Sequence, residues 1–324
     1  MEHRPPSRPV EITLFDLFKT GPGPSSSHTM GPMTAGHDFV ARCAALPEGL
    51  LEQAERLDVR LFGSLSATGG GHGTDAAVLA GLMGHEPAAC PTGLLDRLAA
   101  TPDREHRVRL GNRLLAVSLN DIHHDAVAHE FPFSNTLIME LRDAEGRALH
   151  AMEYYSVGGG FIQWKGWTPP ERGRPAHPYG NMRQLRECLR ATGLTLHELI
   201  LENETAMTGM GRPAIFERLE SIMEVMYDSV RRGLEAGGFL PGTLGAARKA
   251  GGILASAERA PHAADRFLGR VNAYAFAAAE ENAAGGVIVT APTCGAAGVM
   301  PALLYAMRHT LNLSIIQISD TKRQ

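Results

Sequence analysis

The sequence has few lysines and no basic run. Its 324 residues carry a formal net charge of -4 at pH 7, and neither half contains a cluster of positive charge. Nucleic-acid binders need such a cluster, so a small-molecule partner is expected instead. No glycine precedes a lysine in a P-loop pattern, and no lysine lies in a serine- and asparagine-rich segment. We therefore expect neither a P-loop nor a pyridoxal phosphate Schiff base.

Cysteine is equally scarce. Cys43, Cys90, Cys188 and Cys294 are scattered along the chain without a CxxC pair. This spacing argues against structural zinc and against a disulfide framework. Most of these thiols are expected in the core.

Long uninterrupted apolar runs are also missing. The first twenty residues interleave charges and prolines with apolar side chains, which argues against a signal peptide and predicts a cytoplasmic location. Residues 282–307 carry no formal charge and are long enough to span a bilayer, but glycines and prolines interrupt them. A buried, tightly turning core segment is the better interpretation.

The length and the hydrophobic fraction of 44% suit two domains. The strand and helix signals along the chain predict an α+β fold. The first domain, residues 1–163, is predicted to be α/β with a small sheet. Its predicted elements are a strand at 11–15, a helix from about Thr29, a strand at 58–65, a helix at 75–83 that Gly84 ends, and a hairpin of 135–141 with 148–156. Residues 164–184 are rich in proline and glycine and are predicted to be a linker. Residues 185–324 have helical periodicity and form the second, mostly α-helical domain.

The first candidate site is the segment GPSSSHT, residues 23–29. Hydroxyls and backbone amides before a helix favour an anion such as a carboxylate or a phosphate, and His28 adds a group that can donate or accept a proton. The alternative is that one serine caps the helix and His28 points to solvent. Three consecutive serines and a histidine exceed what capping requires.

The second candidate site is ATGGGHGTD, residues 67–75, which places His72 among glycines. Glycine lets a ligand approach the backbone, although such a segment could equally be a flexible loop. Both segments follow strand signals, lead into helices and present a histidine. A shared carboxylate-binding, acid/base site between them is therefore the better hypothesis.

Three other segments have alternative interpretations. Residues 121–125, DIHHD, could bind a metal, but a solvated turn is favoured because adjacent histidines on a strand face opposite ways. Glu280, Glu281 and Asn282 could supply a carboxylate to a site or simply end a helix. Cys294 could be a buried thiol, or it could contact a cluster or the substrate.

Five segments together resemble the iron-sulfur L-serine dehydratases, in the same order along the chain. They are GPSSSHTMGPMTAG (23–36), LFGSLSATGGGHGTDAAVLAGLMG (61–84), YYSVGGGFI (154–162), LPGTLGAARKA (240–250) and the segment 272–305 around APTCGAAG. The resemblance implies a lyase of amino-acid degradation and gluconeogenesis that converts L-serine into pyruvate and ammonia without pyridoxal phosphate. It also implies an N-terminal α/β domain on a helical catalytic domain that holds a [4Fe-4S] cluster.

The resemblance assigns roles to residues. His28 and His72 are implied as the catalytic acid/base pair. The four cysteines match none of the ligand positions expected from the family, so Cys294 is a candidate metal ligand only by its place in the apolar segment, and no other cluster ligand is found in this sequence. The substrate-binding residues implied are Ser25, Ser26, Ser27, Thr29, Thr68, Gly71, Gly73, Thr74, Asp75, Asn135 and Asn282. The implied partners are L-serine and either a second copy of the chain or a complementing chain.

The sequence departs from the family pattern in two places. Family members continue into a region with cluster-ligating cysteines, whereas no cysteine follows Cys294 here and the residues after Met307 do not align. The helical domain is therefore expected to be incomplete, and the alternative function is that the chain only binds L-serine or needs a second polypeptide. Near Asn135, Phe133 and Ser134 stand where the family has a histidine, so serine regulation is expected to differ.

Overall fold

The protein is described by a computed structural model that covers residues 8–242 and 244–313. The helices are α1 (Leu14–Leu17), α2 (Gly31–Ala44), α3 (Glu48–Leu51), α4 (Ser64–His72), α5 (Thr74–Leu82), α6 (Leu94–Ala99), α7 (Met182–Thr192), α8 (Leu196–Thr208), α9 (Arg212–Glu235), α10 (Ala250–Glu258), α11 (Ala263–Ala283) and α12 (Val299–His309). The strands are β1 (Thr20–Pro22), β2 (Arg56–Gly63), β3 (His106–Leu110), β4 (Arg113–Val117), β5 (Ile122–His124), β6 (Asn135–Arg142), β7 (Ala148–Gly158), β8 (Phe161–Trp164) and β9 (Val287–Val289). The predicted α+β fold is confirmed. The ends of the predicted domains, 1–7 and 314–324, lie outside the described residues.

The main sheet has five strands in the order β5-β2-β6-β7-β8. The β2–β5 pair is parallel, and the other pairs are antiparallel. The sequence of β2 alternates, so Leu57, Val59 and Leu61 are buried on one face while the intervening side chains remain partly exposed. The predicted hairpin is confirmed as β6–β7.

Helices α2 and α5 pack on the buried face of this sheet and against each other. They approach closely because glycines lie at the crossing. A Cβ on Gly81 would lie 2.1 Å from the Met33 carbonyl oxygen, and one on Gly36 would lie 2.6 Å from the Val78 carbonyl oxygen. Helix α2 begins just after the first predicted histidine segment, and α5 begins at the end of the second. The distance between the two helices at this crossing therefore influences how close the two segments come.

The second part is helical, as its periodicity predicts. Helices α9, α10, α11 and α12 share a core of small side chains with a few aromatic rings. Alanine and glycine permit close contact: a Cβ on Gly233 in α9 would lie 2.1 Å from the Ala277 carbonyl oxygen of α11. Strand β9 follows α11 and pairs antiparallel with β1, which joins the helical part to the segment before His28.

The connection between the two parts, residues 165–181, contains no helix or strand, as its proline and glycine content predicts. Residues 282–307 form the end of α11, β9, a short 3-10 turn and most of α12. None of the helices in the described ranges combines the length and the apolar character that crossing a membrane requires.

Three local predictions were wrong. Residues 11–15 contain no strand; Thr13 and Asp16 form a reciprocal capping box that starts the short helix α1. The glycine-rich segment 67–75 is not a loop, because α4 runs through it to His72 before Gly73 turns the chain with φ +62°. Residues 121–125 are not a solvated turn, since β5 joins the sheet edge there beside β2.

Candidate active site

The serine-rich segment forms a π-helical turn, Ser26–Met30, directly before α2. Ser25 caps this turn, since its Oγ accepts a hydrogen bond of 3.1 Å from the His28 amide. Ser27 has a different role, because its hydroxyl lies 2.9 Å from Nδ1 of His28. The His28 ring is therefore held by the protein rather than pointing to solvent. Capping alone does not account for the segment.

The other ring nitrogen of His28 meets a residue with no predicted role. Its Nε2 lies 2.9 Å from the hydroxyl of Ser64, the first residue of α4. Gly63 allows the sharp turn from β2 into α4, with φ +56°, and a Cβ there would lie 2.1 Å from the Ser134 carbonyl oxygen. The sequence signal that could have identified Ser64 is a hydroxyl residue at the start of a helix that directly follows a buried strand.

His28 and His72 lie side by side, with ring centroids 4.8 Å apart. Two buried threonines hold their backbones together. The Thr29 hydroxyl donates to the His72 carbonyl oxygen at 2.9 Å, and the Thr74 hydroxyl donates to the His28 carbonyl oxygen at 2.6 Å. The structure thus brings the two predicted segments together, through hydrogen bonds that also occupy both threonine hydroxyls.

The two histidines differ in their proton chemistry. Burial, followed by the neighbouring His72 ring, lowers the pKa of His28 below its ordinary value, which favours the neutral imidazole. His72 Nδ1 lies 2.8 Å from the Thr68 carbonyl oxygen, which can only accept, so Nδ1 carries a proton and Nε2 presents a lone pair in the neutral ring. A pair of this kind can accept a proton and return it to a bound ligand.

Two asparagines have a predicted substrate role. Asn135 begins β6 opposite Gly63; its Nδ2 donates to the Ser156 carbonyl oxygen, while its Oδ1 is buried without a hydrogen-bond partner among the described residues. Asn282 packs against Gly23, and its buried Oδ1 likewise has no partner within the described ranges. Each amide therefore keeps a buried acceptor, and that of Asn282 lies beside the backbone of Gly23, at the start of the serine-rich segment.

The remaining predicted substrate residues are placed less directly. Ser26 is buried within the turn. The Thr68 hydroxyl donates within α4 to the Ser64 carbonyl oxygen. Gly71 and Gly73 have open space where a Cβ would be. The Asp75 carboxylate lies 3.7 Å from Nε2 of His124 on β5, so this aspartate contacts the sheet edge.

The acidic pair before β9 is structural. Glu281 Oε2 lies 2.9 Å from Nε of Arg232, and its Oε1 lies 3.2 Å from Nη1 of Arg248. Glu280 accepts a hydrogen bond of 2.6 Å from the amide of Lys249. Both carboxylates join α11 to the segment that leads into α10, and neither is left to act as a base.

Cys294 is a buried thiol close to the serine turn. It packs with Met30, and burial raises the pKa of the thiol to about 12, although the backbone amide of Ser26 acts in the opposite direction. All four cysteines are free, and they lie in separate parts of the chain. No group of three or more histidine, cysteine, aspartate or glutamate side chains in the described residues is arranged to hold a metal ion. Because a cluster needs several thiolates, these residues do not fit an iron-sulfur cluster.

Comparison with known proteins identifies the family. A family model described as "Serine dehydratase beta chain" matches residues 13–167, and one described as "Serine dehydratase alpha chain" matches residues 191–323. An L-serine dehydratase of Helicobacter pylori is 31% identical over 331 residues, covering 96% of this chain and 69% of the relative. The chain belongs to the serine dehydratase family. The second match extends to residue 323, so the expectation that the residues after Met307 do not align with the family was wrong.

Two further serine dehydratase relatives are more similar in sequence. An L-serine dehydratase of Streptomyces coelicolor is 38% identical over 306 residues, covering 91% of this chain. L-serine dehydratase 1 of Escherichia coli is 35% identical over 317 residues, covering 92% of this chain. The alignment covers 66% of each of these two proteins, so the chain spans slightly less than two thirds of their length.

Proposed function

We propose that this chain is the part of an L-serine dehydratase that binds L-serine and moves its protons. The overall reaction removes the α-proton and the β-hydroxyl of serine as water, and the resulting enamine tautomerises and hydrolyses to pyruvate and ammonia. The observation that carries the proposal is the contact of His28 and His72 between two hydroxyl-rich helix starts. The names of the relatives supply the substrate and the reaction class.

In this proposal, His28 is the base that accepts the α-proton of serine. A neutral imidazole can take the α-proton, and the lowered pKa keeps His28 neutral near pH 7. The hydroxyls of Ser27 and Ser64 fix the ring from both sides, and a substrate hydroxyl can replace either of them. His72 presents its Nε2 beside that ring and is the second proton carrier. The carboxylate of serine is assigned to the hydroxyls and amides of residues 25–29, where a helix start favours an anion.

The proposal also covers the cofactor, the partner and the location. All four cysteines lie in the described residues and do not fit an iron-sulfur cluster, so we assign the other cluster ligands to another chain, with Cys294 as the one candidate from this chain. The second candidate function is that the chain binds L-serine without converting it, and the poor fit of the donor set favours it. A cytoplasmic location and a homodimer or complementing chain complete the proposal.

The test uses chain purified without oxygen, reconstituted with iron and sulfide, and assayed for pyruvate from L-serine. His28→Ala and His72→Ala are compared with His262→Ala, an exposed histidine at the start of α11. We expect each of the first two variants to lose at least about a hundredfold in kcat/KM, the usual scale of general acid–base catalysis, and the control to be unaffected.

The other outcomes separate the two functions. Pyruvate formation that is unchanged in His28→Ala or in His72→Ala contradicts the assigned roles. Serine binding by calorimetry without iron uptake or pyruvate, lost in both variants and kept in His262→Ala, supports the binding function instead.

A further inference from the structure

A cavity away from the two histidines lies between α1, the connection 165–181, the end of α8 and the first turns of α9. It has a volume of about 740 Å³. Its charged lining consists of Lys19, Arg172 and Arg218 with Asp16 and Glu171. Volumes of this size suit a small organic ligand.

The positive charges in this cavity are only partly neutralised. Arg172 places both of its terminal nitrogens on the Asp16 carboxylate. Within the described residues, neither Lys19 nor Arg218 has a carboxylate within 4.0 Å. The charges on these two side chains are therefore available to a ligand.

Aromatic rings hold the two unpaired cations in place. The Lys19 ammonium lies 4.4 Å from the centroid of the Phe161 ring, and the Arg218 guanidinium lies 4.1 Å from that of Phe15. A ring face attracts a cation but carries no net charge to neutralise it. The arrangement orders both groups and keeps their charge.

The surplus of charge is unfavourable around Lys19, which is partly buried, in the protein alone. Burial lowers the pKa of Lys19; Asp16 opposes this effect, while Arg218 and Arg172 add to it. Burial also raises the pKa of Glu204, which lies behind the cavity, so its negative charge is disfavoured as well. An anion between the cations would remove their repulsion and form charge-assisted hydrogen bonds.

We propose that this cavity is a binding site for a small oxyanion ligand, one bearing a phosphate or a carboxylate group, held between Lys19 and Arg218. The planar guanidinium of Arg218 suits two oxygens of either group, and the Lys19 ammonium supplies a point charge. The volume leaves room for an organic body attached to the anionic group.

The site is connected to the serine turn through the backbone. The Lys19 amide donates to the Thr290 hydroxyl at 3.2 Å, and the Thr290 amide donates to the Lys19 carbonyl oxygen at 2.8 Å. Strand β1 starts at the next residue and leads to Ser25. A ligand on Lys19 would therefore lie one residue from the strand that leads to the serine turn.

The test is isothermal titration calorimetry of the intact chain with inorganic phosphate and, in a separate arm, with malonate. Ionic strength is held at about 0.15 M with chloride, so that general screening is constant. Lys19→Met and Arg218→Met remove one charge each and keep most of the apolar stem. The matched control is Arg212→Met on the same helix, whose side chain is 53% exposed and pairs with Glu202.

We expect at least one of the two anions to bind, and each cavity variant to weaken it about tenfold or more while the control binds normally; a tenfold loss corresponds to about 1.4 kcal/mol. Comparison of the affinities for phosphate and for malonate shows whether the site prefers a phosphate or a carboxylate group. Absence of binding of both anions up to about 10 mM, or an equal loss in Arg212→Met, overturns the proposal.

Circular dichroism confirms that each variant is folded, and Lys19→Gln or Arg218→Gln replaces a variant that is not. The titration needs neither serine nor iron and does not measure pyruvate. Its result therefore stands apart from the success or failure of the proposed dehydratase function.

Discussion

Thr29 and Thr74 form a reciprocal pair of hydrogen bonds, in which each threonine donates to the histidine of the other segment. Thr29 donates to the carbonyl oxygen of His72, and Thr74 donates to that of His28. Both threonines are fully buried. The two segments that carry the histidines are therefore joined through their backbones, and the rings meet as a consequence.

The first prediction concerns this pair of bonds. Thr74→Val has the same shape but leaves the buried His28 carbonyl without its donor, which costs about 1–3 kcal/mol. We expect this decrease in the free energy of unfolding from urea titration, together with reduced serine turnover. Thr74→Ser, which keeps the hydroxyl, is the control. Equal stability of Thr74→Val and the wild type would show that the bond does not hold the segments together.

The second prediction concerns pH. Burial and His72 lower the pKa of His28, so as the pH falls the unfolded chain takes up a proton on His28 before the folded chain does. The contribution of neutral His28 to stability is therefore complete above about pH 6.5, the ordinary histidine value, and is lost as the pH falls through the lowered pKa. Removing the neighbouring ring should move that pKa upward.

The measurement is an NMR titration of the His28 ring in the wild type and in His72→Ala. We expect a lower midpoint in the wild type and a shift to higher pH in the variant. If serine turnover is observed, its acid limb should move in the same direction. A midpoint unchanged by His72→Ala would mean that burial alone sets the His28 pKa.

Much of the fold follows from the sequence because its signals are local. The alternation of apolar residues in β2, the turn between β6 and β7 and the helical stripe of α9 each depend on residues within one element. Thr13 shows where such signals conflict. Residues 11–15 alternate like a strand, but the capping box of Thr13 with Asp16 satisfies backbone groups locally and starts a helix.

The candidate site was predictable in part. Serines or glycines around a histidine at a helix start pointed to His28 and His72, and the structure places these two rings together. Ser64 was missed because its contact with His28 depends on a bend at Gly63 and on the pairing of distant segments. The roles of the site residues in catalysis remain predictions, since they require a bound substrate.

The third prediction concerns the crossing of α2 and α5. A methyl group on Gly81 would press against the Met33 carbonyl oxygen, so Gly81→Ala must separate the helices and should cost about 1–3 kcal/mol, as overpacking does. Gly252→Ala is the control, because α10 has open space there and alanine should stabilise that helix by about 0.5–1 kcal/mol. Thermal unfolding measures both. A neutral Gly81→Ala would mean that the crossing adjusts at no cost.

The last prediction concerns the acidic residue that joins the helical part. Glu281 has a side chain 8% exposed and pairs with Arg232 and Arg248, so Glu281→Gln leaves two partly buried guanidinium groups without a counter-charge. Breaking a buried ion pair from one side costs about 3–5 kcal/mol, and we expect a loss of this size in the free energy of unfolding.

The control for Glu281→Gln is Glu258→Gln. Glu258 accepts two hydrogen bonds of 2.7 Å from Arg270, but this pair is solvent-exposed, and exposed ion pairs contribute little to stability. We expect no measurable change in its unfolding midpoint. If the two variants lose stability equally, the number of hydrogen bonds to the carboxylate matters more than its burial. If only Glu281→Gln is destabilised, then burial accounts for its effect, and Glu281 acts as a structural residue that connects α9 and α11 with the start of α10.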